Sequence, residues 1–130
     1  MELEKSRTVF DAQRPIYVQL IERVKTRIVS GEYPPSEQIP SVRELAELSG
    51  VNPNTMQKAL AELEREGLLS AQRTIGRFVT DDESLIKRLK TELAQTHIVR
   101  FLREMTALGI EGAAAVEMIK ESIKNKGGEE

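Results

Sequence analysis

SVRELAELSGVNPNTMQKALAELEREG, residues 41–67, is the stretch whose reading decides the fold. Ser41 and Glu44 stand three apart, the spacing at which a Ser hydroxyl and a Glu side chain cap a helix start reciprocally. Val42, Leu45, Ala46 and Leu48 then give a short apolar stripe, and Gly50 closes the helix after about two turns. Asn52-Pro53 opens the next one, with Asn as the cap and Pro at the first helical position, where its missing N–H costs nothing. Met56, Ala59, Leu60 and Leu63 form its buried row, and Gly67 stops it. Two short helices joined by the tight turn Ser49-Gly50-Val51 are a helix-turn-helix pattern.

Working outward, a longer helix precedes the pair. Pro15 suits its first position, and Tyr17, Leu20, Ile21, Val24 and Ile28 recur at helical spacing up to Gly31. Tyr33-Pro34-Pro35-Ser36 reads as a turn. On the other side, residues 68–72 and 77–80 read as two strands, with Arg73-Thr74-Ile75-Gly76 as the loop between them. A hairpin directly behind the second helix makes the motif winged. The expected fold class is mainly α (α+β): a winged helix-turn-helix with a two-stranded wing over residues 13–80, followed by a small two-helix segment over 81–125. Residues 1–12 and 126–130 are expected to be flexible termini.

Composition narrows the function. The chain has 130 residues, 39% hydrophobic and 31% charged, enough apolar material for a core and too much for global disorder. There is no cysteine and one His, so disulfides and thiolate metal sites are excluded, and no nucleophile–base pair or ligand cluster can be assembled. An enzyme, a metal and a cofactor are therefore not expected. No apolar run approaches the roughly 20 residues of a membrane span, and the acidic N-terminus lacks a signal-peptide core, so the expected location is cytoplasmic. The net charge of −2 argues, as a total, against nucleic acid.

Position overrides that total. Opposite the apolar row of the third helix lie Asn54, Gln57, Lys58, Ala61 and Arg65, amides and cations of the kind that meet base edges and phosphates, with a small residue among them. The first turn, Pro53 to Gln57, holds no acid although the helix dipole favours one there. Glu62, Glu64 and Glu66 all fall at the far end. An N-terminus so arranged suits a polyanion. Arg43 sits in the first turn of the preceding helix, where a cation is locally unfavourable; pairing with Glu47 is the bland explanation and a DNA contact the sharper one. Arg73 and Arg77 flank the wing tip, and Gly76 lets the backbone turn there.

Pro15-Ile16-Tyr17-Val18-Gln19-Leu20, Ile39-Pro40-Ser41-Val42-Arg43-Glu44-Leu45-Ala46, Val51-Asn52-Pro53-Asn54-Thr55-Met56-Gln57-Lys58-Ala59 and Leu63-Glu64-Arg65-Glu66-Gly67-Leu68-Leu69 together resemble the GntR family of bacterial transcription regulators. The likeness covers roughly residues 13–80. It implies a winged helix-turn-helix that binds operator DNA as a dimer. Its contact positions fall on Arg43, on Pro53, Asn54, Thr55 and Gln57, and on the wing around Arg73 and Gly76. Ser41, Lys58, Thr74 and Arg77 complete the candidate DNA-binding set. Two positions depart from the family pattern, Ser36 and Thr74 standing where glycines are usual: Ser36 is expected only to stiffen its loop, while Thr74 leaves the path of the wing open.

The remaining fifty residues are too few to enclose a ligand cavity of the kind many relatives append. Their apolar rows need a partner surface, and the simplest is a second copy of the same segment. This length resembles the small YtrA-type branch of the family. The expected interface residues are Leu89, Leu93, Ile98, Phe101, Met105, Leu108, Val116, Ile119 and Ile123. His97, on the same face, suits packing better than a functional role, Met105 and Met118 suit core filling, and Gly112 to Ala115 a close helix contact. The expected function is a sequence-specific DNA-binding regulator, a repressor binding a palindromic operator as a homodimer. A dimeric protein-interaction module and a regulator holding an unknown small-molecule effector at its C-terminal helices are the alternatives.

Overall fold

The computed structural model describes residues 10–129. Of the stretches expected to be flexible, residues 1–9 and 130 lie outside that range. Among the described residues five helices and one hairpin follow in the order α1 (Ile16–Val29), α2 (Val42–Ser49), α3 (Pro53–Arg65), β1 (Leu69–Gln72), β2 (Gly76–Val79), α4 (Glu83–Ala107) and α5 (Gly112–Glu129). The fold is mainly helical α+β, as the sequence suggests. Contacts divide the chain after Lys90 into two compact units.

In the first unit α3 is the hub. Helices α1 and α2 and strand β1 all pack on it. Leu20 and Ile28 from α1, Leu45 from α2, and Met56, Leu60 and Leu63 from α3 are almost fully buried, together with Leu68 behind α3. All but Leu68, read as strand, lie on the expected helical stripes, while Tyr17, Val42 and Leu48 of those stripes are half-buried. Local chemistry fixes the helix ends. The Glu44 backbone N–H donates to Ser41 Oγ at 3.1 Å, and the Ser41 N–H donates to Glu44 Oε1 at 3.0 Å. Donation from the Ser41 backbone N–H, and then from its hydroxyl, holds the Glu44 carboxyl below its ordinary pKa. Gly50 sits in the left-handed region at φ 70°, which turns the chain from α2 into α3.

Strands β1 and β2 pair antiparallel, Leu69 facing Val79 and Gln72 facing Gly76. The sequence reading treats residues 33–36 as a turn and stops there. The structure adds an extended edge: Ser36 and Ile39 donate to the carbonyls of Val79 and Arg77 at 3.0 Å each, and Val79 donates back to Glu37 at 2.9 Å. Gln38 forms an isolated antiparallel bridge to Phe78. The wing is thus backed by a third extended segment, invisible to pattern because its partner lies about forty residues away.

Residues 10 and 11, within the terminus expected to be flexible, are tied to α1. Gln19, a buried amide, accepts from the Asp11 N–H at 2.8 Å and donates to the Asp11 carbonyl at 2.7 Å. The Arg23 guanidinium lies 4.0 Å from the centroid of the Phe10 ring. At the other end α5 runs through Glu129, so most of the expected C-terminal tail is helical.

In the second unit, Thr91–Glu130, apolar side chains face outward. Helix α4 as a whole has 25 residues, about 38 Å at about 1.5 Å per residue. Ile98, Leu108, Val116, Ile119 and Ile123 are exposed, while Leu93, Phe101 and Met105 are half-buried. Met118 is exposed too, which corrects its reading as core filler, as are Val99 and Leu102. Leu89 departs from the expected interface in the other direction. At 6% exposure it is already buried within the chain, because the start of α4 belongs to the first unit. Of the small-residue run only Ala115 is buried, and His97 is exposed.

Candidate nucleic-acid interface

The α2–turn–α3 segment sets out the candidate residues. On α3, Pro53, Asn54, Gln57 and Lys58 are exposed and Thr55 is half-buried, while the opposite row is in the core. The first turn holds no acid, as the sequence indicates. The amide of Gln57 is left unengaged, and so is that of Asn54, whose backbone alone is bonded. Neither has a partner among the described residues. An amide so placed offers the paired donor and acceptor that adenine presents in the major groove.

The backbone donors of that turn are another matter. Asn54 N–H goes to Asn52 Oδ1 at 2.7 Å, and the Thr55 and Met56 N–H groups go to the Asn52 carbonyl at 3.0 and 3.1 Å. Pro53 has none. The expectation that the helix N-terminus itself receives a phosphate is therefore narrowed: the caps take up the N–H groups, and side chains are left to make the contacts. Lys58 stands over an aromatic ring. Its Nζ lies 5.6 Å from the centroid of the Tyr17 ring, within cation–π reach, while the side chain stays exposed. Tyr17, which periodicity places only on the apolar row, also lies beneath this ammonium.

Arg43 on α2 is exposed and has no ion pair among the described residues, so the Glu47 pairing does not form. Ser41 accepts at its oxygen from the Glu44 N–H, and its hydroxyl also lies in bonding reach of the Glu44 carboxyl, so it is engaged in the capping box. In the wing Arg73 is exposed and unpaired. Arg77 is different. Its Nε donates to Glu64 Oε1 at 2.5 Å and its side chain is 14% exposed, so it fastens the wing to α3 rather than pointing outward. Thr74 and Ser36, the two departures from glycine, are the two non-glycine residues with positive φ among those described, at 66° and 69°. The backbone path that glycine usually takes is kept, with some strain, by other residues.

The three acids at the end of α3 have partners. Glu62 binds Arg65, Glu64 binds Arg77, and Glu66 Oε1 lies 3.0 Å from Lys25 Nζ. The pairing with Arg65 lowers the Glu62 carboxyl pKa. Charge segregation along α3 thus has two causes, an open first turn and a braced last one. Arg65, placed by sequence on the open face, belongs to the brace. Among the described residues no cluster could hold a metal ion, and no helix is long and apolar enough to cross a membrane.

Comparison with known proteins fits this geometry. The family profile "Bacterial regulatory proteins, gntR family" matches residues 16–79. The HTH-type transcriptional repressor YtrA of Bacillus subtilis is 34% identical over 116 residues, covering 88% of this chain and 89% of that protein. A GntR family transcriptional regulator from Listeria monocytogenes superimposes with a TM-score of 0.78 at 37% identity, over 86% of this chain and 98% of the other. The AraR DNA-binding domain in complex with operator ORX1 aligns at 31% identity and a TM-score of 0.53, over 55% of this chain and 93% of the other.

Proposed function

Since the chain belongs to the gntR family of bacterial regulatory proteins and is a DNA-binding transcriptional regulator, we propose that it acts in the cytoplasm as a repressor, gripping a palindromic operator as a homodimer. Helix α3 of each copy enters the major groove of one half-site, and half-site centres lie about one or two helical turns apart. Asn54 and Gln57 read base edges. Lys58 and Ser41 hold phosphates, Arg43 and Arg73 take either role, and the exposed faces of α4 and α5 bury each other across a two-fold axis. The repressor function of YtrA and the operator complex of AraR support this reading.

The observation that carries it is the open first turn of α3: two unengaged amides, a lysine poised over Tyr17, and no acid. Selection of bound sequences from random duplex DNA by the full chain tests it. A two-fold symmetric motif is expected; recovery of unselected sequence overturns it.

Two substitutions separate specificity from affinity. Gln57→Ala is expected to relax base preference at one position of each half-site, a loss of about 1–3 kcal/mol for a good bidentate contact, read by competition with single-base variants. Lys58→Ala is expected to weaken all sequences alike and to flatten the slope of log K against log salt by about one per half-site. Parental binding by both variants refutes the assignment of this face.

A further inference from the structure

The wing tip is bonded from outside its own hairpin. Gln38 lies 37 residues before Ile75, yet its Nε2 donates to the Ile75 carbonyl oxygen at 2.7 Å. A Cβ on Gly76 would stand 2.7 Å from that same nitrogen, closer than Cβ atoms come to a neighbour. The amide therefore occupies the space a side chain at 76 would need, at a residue whose φ of 138° already favours glycine. The base of this strut is fixed, because the bridge from Gln38 to Phe78 and the Ile39-to-Arg77 bond hold its backbone along β2. Its other end meets the three-residue loop Arg73–Ile75, which is exposed and carries the left-handed Thr74.

We propose that Gln38 is a positioning residue for the wing: by fixing the Ile75 carbonyl it orders the loop that carries Arg73 before DNA arrives. The proposal rests on the reading of the wing as a DNA contact. A loop ordered in advance loses less conformational freedom on binding, so its cation contributes more affinity. Gln38 itself touches no DNA in this account and acts only through Arg73.

A double-mutant cycle on the full chain tests it, using the duplex that the parent selects. Gln38→Ala is expected to weaken binding about 5- to 10-fold and to flatten the salt slope as Arg73→Ala does. In the double variant Gln38→Ala/Arg73→Ala the second change is expected to add little. Without DNA, amide exchange at Ile75 and Gly76 is expected to quicken in Gln38→Ala while the core amides hold. Parental binding by Gln38→Ala, an unchanged salt slope, or full additivity with Arg73→Ala overturns the proposal. If Arg73→Ala is itself silent, the proposal falls together with the wing contact, whereas the effect of Gln57→Ala still reports separately on the recognition helix.

Discussion

Ile98→Glu combined with Ile119→Glu is expected to yield a chain that sediments as a monomer and binds its operator about 10²- to 10⁴-fold more weakly. Both isoleucines are exposed, at 49% and 39%, on α4 and α5 of the second unit, so neither change opens a cavity in the winged domain. In a dimer the same positions would bury carboxylates without partners, and a buried unpaired charge costs several kcal/mol. The effect on DNA follows from linkage. Once one half-site is bound, the second binding event is intramolecular, at an effective concentration near millimolar, and separate monomers forfeit that gain. Analytical ultracentrifugation and a binding titration read the two effects. A variant that stays dimeric, or a monomer that binds like the parent, refutes the proposed assembly.

Leu60→Ala has the second large effect. Leu60 is 0% exposed on the inner row of α3, the helix on which α1, α2 and β1 all pack. Truncating such a side chain typically costs about 2–5 kcal/mol, lost transfer energy plus the cavity left behind. Against a domain stability of about 5–15 kcal/mol, Tm should fall on the order of 10 °C. Scanning calorimetry checks this. A shift of one or two degrees would mean that the core is not centred on α3. Unlike Gln57→Ala, this change should leave base preference intact in whatever fraction remains folded.

What the sequence made legible follows the range of the interaction. The Ser41–Glu44 box and the Asn52-Pro53 start could be read because both partners lie within one turn, and the α3 core row because its period is local. The strut from Gln38 to Ile75 could not, since nothing near residue 38 signals a partner 37 positions on. For Arg77 and Arg65, charge alone does not reveal an acid brought alongside by folding or by the next helical turn; Arg77 is largely covered beside Glu64, while Arg65 stays exposed beside Glu62. Leu89 and Ile98 illustrate the same boundary in apolar terms. Periodicity says that a helix has a greasy side; whether the chain itself covers it depends on tertiary structure. Ser36 and Thr74 were noted as departures from glycine, yet their left-handed backbone was hidden, because neither residue type ordinarily adopts it.

The three carboxylates that brace the far end of α3 also bear on how the molecule meets its electrolyte. On the proposed reading, salt cations compete with Lys58, Arg43 and Arg73 for phosphates, and rising ionic strength screens the pairs with Arg65, Arg77 and Lys25 as well. Losing several phosphate contacts costs orders of magnitude in affinity, whereas the first unit is held chiefly by a buried apolar core that salt does not screen. Brine should thus strip the protein from its duplex long before it loosens the winged unit, if the proposed contacts are the ones made.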